Sequence, residues 1–155
     1  MMKIKNYKWM GFGFPVIFEE LPAVKLRGEL VPDVDFNEIA RPLIQFICIS
    51  QEVPFSGNQI KFIRMHLEMS LREFAKFMDV THQSVMRWEE NAKSSAHIEP
   101  HTEIVMRIKI LRTLGSNLAT VNKAVEKVED VEKLKIMYKS FKAIKVPENV
   151  THGHF

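Results

Sequence analysis

With 155 residues, 46% of them hydrophobic and 26% charged, the chain has the make-up of an ordinary globular protein with a sizeable core, which excludes a disordered or fibrous one. No apolar run approaches the ~18–20 residues that cross a bilayer, and a single cysteine, Cys48, excludes a disulfide framework. A formal net charge of +3 permits a nucleic-acid partner without demanding one.

The opening "MMKIKNYKWMGFGF" lacks the long apolar segment and small-residue cleavage site of a signal peptide. A reducing cytoplasm is therefore the expected location. From Tyr7 to Asp35 the chain is punctuated by Gly and Pro, with short β-prone pieces at 16–18, 23–26 and 29–31. Arg27-Gly28 is placed to close a tight hairpin between the last two. These features predict a small antiparallel sheet of two or three strands. Asp35 and Glu38 then have capping-box spacing, and Phe36, Ile39, Ala40, Leu43, Phe46 and Ile47 recur at helical spacing. Pro42 within that run predicts a kink or a late start. "QEVPFSG", 51–57, reads as a linker.

From Asn58 the pattern becomes densely helical. Ile60, Ile63 and Leu67 share one face. Ser70-Leu71-Arg72-Glu73 is a capping box ahead of Leu71, Phe74, Ala75 and Met78. Thr81 caps the next segment, which Val85 and Trp88 anchor inward. Ile104, Ile108 and Leu111 form the stripe of a further helix from Pro100, and Gly115 stands where its stop belongs. The tail from Ser116 to Lys145 also reads as helical. Its stripe of Leu118, Val121, Val125 and Val128 suits either a dimer seam or a helix covering the domain. Leu134, Met137, Tyr138, Phe141 and Ile144 continue that pattern.

The segment 70–90 has the dimensions of a helix-turn-helix, with Ala75 as the small residue at the crossing. Its second helix keeps a polar first turn free to enter a major groove. Gln83 suits a bidentate pair with adenine and Arg87 one with guanine, while His82 and Ser84 suit base edges or phosphate. Ser70 and Thr81 open the two helices, whose free N–H groups favour a phosphate oxygen, and Lys61, Arg64 and Arg72 add neutralising charge.

"MSLREFAKFMDVTHQSVMRWEEN" resembles the Cro/repressor-like (XRE) helix-turn-helix family, with Ser70, Phe74, Ala75, Met78, Val80, Thr81, Val85, Trp88 and Glu89 on signature positions. The resemblance implies a five-helix domain whose recognition helix is Thr81–Glu90. Two departures are Leu71, where the family has a phosphate-clamping glutamine, and Asp79, where it has the turn glycine. A wider resemblance, through "FPVIFEELPAVKLRGELVPDVDFNEI" and "SGNQIKFIRMHLEMSLREFA", is to the MqsA/YgiT-type antitoxins. In that family a β-rich N-terminal module, often zinc-bound through CxxC pairs, contacts a toxin. Here Cys48 is the only thiol, so a four-thiolate site is excluded.

No phosphate loop, metalloprotease or nucleophile-elbow pattern is present; "GFGFP" is too short for a nucleotide loop. His97-x-x-x-His101 is interrupted by Pro100, and Met65, Met69, Met78 and Met86 read as core rather than a cofactor box. The expectation is a mainly α protein without enzymatic activity, metal or cofactor. It comprises an N-terminal β-hairpin/helix module (1–56), a helix-turn-helix domain (57–115) and a C-terminal helical extension (116–155). Its expected action is to bind a palindromic operator in double-stranded DNA as a homodimer. The alternative is a toxin-neutralising interaction module that uses the helix-turn-helix as scaffold.

Overall fold

The computed structural model describes residues 2–117, 119, 122 and 144–151. A long strand, β2 (Val16–Leu26), is the axis of a four-stranded mixed sheet. β1 (Lys3–Trp9) lies antiparallel to its first half, with Trp9 opposite Val16 and Lys3 opposite Pro22. β3 (Glu29–Pro32) lies antiparallel to its second half, and Arg27 (φ 52°) and Gly28 (φ 82°) close the hairpin between Leu26 and Glu29. Two consecutive left-handed residues give a turn whose twist matches that of the strands. β4 (Ile144–Val146) runs parallel to β2 at Val16–Phe18. Those residues already pair with β1, so β4 takes the opposite edge of β2. Along β2 the buried side chains are Val16 and Phe18, then Leu21 and Ala23: the alternation slips by one at Glu19–Glu20. Asn6, on the paired strand, departs from strand geometry at the same place (φ 52°), so both strands change face without losing register.

Helices follow β3 in close succession. α1 (Phe36–Ser50) begins immediately at Asp35, whose carboxylate accepts from the Asn37 N–H at 2.9 Å, and it runs through Pro42 as one element rather than starting late. α2 (Gly57–His66) starts from a reciprocal Ser56–Gln59 capping box. α3 (Leu71–Met78), α4 (His82–Glu90) and α5 (Pro100–Thr113) complete the central part, and a short α6 (Glu148–Thr151) follows β4. α2, α3 and α5 all end in the same way. A left-handed residue (Glu68, Asp79, Gly115) is followed by an amide that reaches back five positions: Met69 to Arg64, Val80 to Ala75, Ser116 to Leu111.

One apolar core joins these layers. Phe18 and Leu21 from the sheet, Leu43 and Ile47 from α1, Ile60 and Ile63 from α2, Phe74, Val85 and Trp88 from the helix-turn-helix, and Met106 and Ile110 from α5 belong to a single cluster. Ahead of it, Trp9 stacks on Phe36 with ring centres 3.9 Å apart and planes 2° apart, which seals β1 onto the start of α1.

The mainly α expectation does not hold. Among the described residues, six helices and a four-stranded mixed sheet, 49% helix and 22% strand, make an α/β fold. Between 57 and 115 there are four helices rather than five. Two strands were invisible locally: β1 is too rich in Lys and Asn to read as a strand, and β4 exists only through a parallel pairing with residues over a hundred positions away. Ile144 and Lys145, expected at the end of a helical tail, belong to that strand. The stripe of Leu118, Val121, Val125 and Val128, and its continuation to Phe141, lie outside the described residues.

The segment 51–57 is not a linker but one of the most buried parts of the molecule. Gln51 and Gln59 form a reciprocal amide pair at 2.9 and 2.7 Å, and Gln59 Oε1 also accepts from the Ser56 N–H. On α5 the stripe is turned from its expected position: Glu103, Met106, Arg107, Ile110 and Leu111 are buried, while Ile104 and Ile108 are only half-buried. The Arg107 guanidinium donates to the carbonyls of Cys48, Gln51 and Val53 and lies over the Phe55 ring, and Glu103 accepts from the Phe55 N–H at 2.8 Å. Burial at this junction pushes the Cys48 thiol up to about 12, which leaves it inert.

Candidate nucleic-acid interface

The helix-turn-helix is built from local signals. Ser70 accepts from the Glu73 N–H and Glu73 returns the bond to the Ser70 N–H, both at 3.1 Å, so α3 starts at a fixed point. It stops at Asp79 (φ 56°, ψ 46°), an Asp in the left-handed turn where the resembled family has glycine. Val80 and the N-cap Thr81 then redirect the chain into α4. Ala75, 4% exposed, lets the two helices approach.

Among the described residues, α4 is held by its inner face and far end. Val85 and Trp88 enter the core, and Glu89 receives a bidentate pair from Arg64 on α2, at 2.8 and 3.0 Å. Arg64 also donates to the Met69 carbonyl, so its guanidinium is committed to joining α2, α4 and the α2–α3 turn rather than standing free for a phosphate. The start of α2 lies against the end of α4. The Gly57 and Asn58 N–H groups donate to the Asn91 and Ala92 carbonyls at 3.0 Å, and a Cβ on Gly57 would stand 2.5 Å from the Trp88 carbonyl oxygen. Only glycine fits this approach.

No described residue covers the opposite face of α4. His82 is half-buried, and Gln83, Met86 and Arg87 are exposed. Thr81, Ser84 and Arg87 form a hydrogen-bonded row: Thr81 Oγ1 accepts from the Ser84 N–H at 3.2 Å, the two hydroxyls are 3.0 Å apart, and Arg87 donates to Ser84 Oγ at 3.3 Å. This row aims the Arg87 guanidinium back towards the N-terminal turn. Arg72, exposed on the first turn of α3, stands on the same motif with Ser70. Among the expected contact residues, then, the fold gathers His82, Gln83, Ser84 and Arg87 on one helix, with Thr81 as its cap and Ser70 and Arg72 on the preceding one. Lys61 is placed elsewhere, in the wall of a cleft between α2 and the β1–β2 loop.

Two features escaped sequence reasoning. Met86 (43% exposed) and Met65 (60%) are uncovered, and of the four methionines read as core only Met78 is fully buried. Met86 lies three residues after Gln83 and opposite Val85 and Trp88, so a helical wheel centred on those anchors exposes it. The Arg64–Glu89 pair had no local signal, being 25 residues apart in sequence.

No helix among the described residues is long and apolar enough to cross a membrane. Comparison of the chain with protein-family models, curated proteins and solved structures finds no match.

Proposed function

We propose that this protein is a regulator that binds double-stranded DNA through α4 of the helix-turn-helix. The observation that carries the reading is the division of labour on α4. Its inner face and C-terminal end are fixed by Val85, Trp88 and the Arg64–Glu89 pair, whereas Gln83, Met86 and Arg87 face outward from its first two turns. A helix so anchored presents amide and guanidinium donors to base edges without losing core contacts.

The particular role proposed is that of an antitoxin-like autorepressor. A homodimer sets two copies of α4 about 34 Å apart in successive major grooves of a palindromic operator, and occupancy blocks transcription. The experiment is fluorescence anisotropy against the DNA upstream of the protein's own reading frame, with a scrambled duplex as control, across several salt concentrations. A preference of about a thousandfold at physiological salt is expected. Gln83→Ala and Arg87→Ala should each cost about 1–3 kcal/mol of specific binding while leaving thermal unfolding unchanged within about 0.5 kcal/mol. Equal, salt-labile binding to both duplexes sinks the repressor reading.

One observation favours a second reading, a protein-interaction module such as a toxin-neutralising partner. The β2–β3 hairpin exposes Val24 (40%), Leu26 (61%) and Leu30 (39%), apolar residues beyond the core. Under that reading, polar replacements at Val24 and Leu26 abolish function while Gln83→Ala spares it.

A further inference from the structure

The β1–β2 loop, Gly11 to Pro15, and the faces of α1 and α2 enclose an open cleft of about 540 Å³. That is within the range of small-molecule sites, about 300–1,000 Å³. Its apolar wall is made by Phe12 and Phe62, with ring centres 4.7 Å apart, and by Met65, which no other part of the described chain covers. Asn37, Asn58, Lys61 and His66 supply its polar groups, and no carboxylate lines it among the described residues. Lys61 is exposed and forms no ion pair among the described residues. Burial, and then the nearby Arg41 cation, hold His66 below the usual 6.5, with the Glu68 carboxylate opposing, and Lys61 is the one ammonium group among the described lining residues.

The wall is preformed. Asn58 Nδ2 donates to the Gly13 carbonyl at 2.6 Å and ties the loop to α2. Gly13 holds φ at 95°, and Gly11 lies so close to the Trp9 indole that a Cβ would stand 2.3 Å from its ring. A motif too short to hold a nucleotide thus forms one side of a site whose described lining combines two tilted aromatic rings with one lysine.

We propose that this cleft binds a small organic anion with a flat apolar body, of the aromatic monocarboxylate class. The ring lies against Phe12, Phe62 and Met65, and the carboxylate takes a charge-assisted hydrogen bond from Lys61. The Gly57 and Asn58 amides are bonded to the carbonyls at the end of α4, so an occupant that shifts α2 shifts α4 with it. That consequence rests on the DNA-binding reading; occupancy of the cleft does not.

The test is an NMR titration of the full ¹⁵N-labelled chain with sodium benzoate and, separately, with uncharged benzamide, at constant ionic strength and without DNA. Benzoate should shift the amides of Phe12, Asn58, Lys61, Phe62 and His66 saturably, and benzamide should bind about tenfold more weakly. Lys61→Gln, at an exposed position, should lower benzoate affinity to the benzamide level, and Met65→Ala should weaken both probes. The proposal is overturned by shifts centred elsewhere, by equal affinity for both probes, or by undiminished benzoate binding to Lys61→Gln. Absence of saturable shifts by about 20 mM overturns it equally. With no DNA in the sample, such a failure is separate from failure of the DNA-binding reading.

Discussion

Two Arg–Glu pairs hold this protein together, and they work differently. Arg64 and Glu89, 13% and 12% exposed, meet bidentately at 2.8 and 3.0 Å, so the carboxylate is the main partner of the guanidinium. Arg107 and Glu103, 0% and 1% exposed, are 3.4 Å apart at their closest, and each is satisfied chiefly by backbone: Arg107 by three carbonyls, Glu103 by the Phe55 N–H. Arg107 Nε has no hydrogen-bond partner among the described residues. The first pair is a clasp between two helices. The second is a plug that lets irregular chain, 51–55, cross the interior by neutralising carbonyls no helix or sheet uses.

The difference is sharpest in what each pair leaves behind when broken. Arg107→Met strands three carbonyls and a buried carboxylate, and about 3–5 kcal/mol of stability should be lost in denaturant titration. A loss under 1 kcal/mol would mean that the junction relaxes or admits water, and the plug description fails. Gly57→Ala acts by steric means on the α2–α4 approach instead. Forcing α2 away from the Trp88 and Asn91 carbonyls should cost about 1–3 kcal/mol and weaken specific DNA binding by more than the stability loss explains. Arg64→Ala removes the clasp and the bond to Met69, at about 1.5–3 kcal/mol. If it proves as damaging as Arg107→Met, the distinction between clasp and plug is lost.

The smallest effect concerns pH, and here two glutamates should behave oppositely. Hydrogen bonds from the Ser70 backbone and side chain hold Glu73 below the usual 4.5, so its contribution to stability is present above that value and is lost as pH falls. Burial pushes Glu103 above 4.5, with Arg107 and the Phe55 amide opposing, so the folded chain binds that proton more tightly than the unfolded one. Its contribution is therefore greatest in acid and declines as pH rises from 4.5 through the raised value. Urea unfolding between about pH 3 and pH 8 should show the deficit of Glu73→Gln growing with pH. The advantage of wild type over Glu103→Gln should shrink over the same range. Parallel slopes would contradict the assignment of burial to one carboxyl and of capping to the other.

The elements legible from sequence are those whose cause is local. Ser70 and Thr81 cap their helices, Arg27-Gly28 turns the hairpin and Gly115 ends α5, because in each case a side chain or a backbone angle acts within five residues. The outward face of α4 follows likewise from Val85 and Trp88 at helical spacing. Only tertiary structure decided the rest. A Lys-rich strand becomes β1 because β2 offers it a register and Phe36 a stacking face for Trp9. Residues 144–146 become β4 because the free edge of β2 accepts them. Glu103 and Arg107, spaced like a solvated pair on a helix, turn inward because a buried loop with unmet backbone groups lies beside them. Local pattern reports which side of an element is apolar, but partners distant in sequence determine whether a polar group is better satisfied by protein than by water.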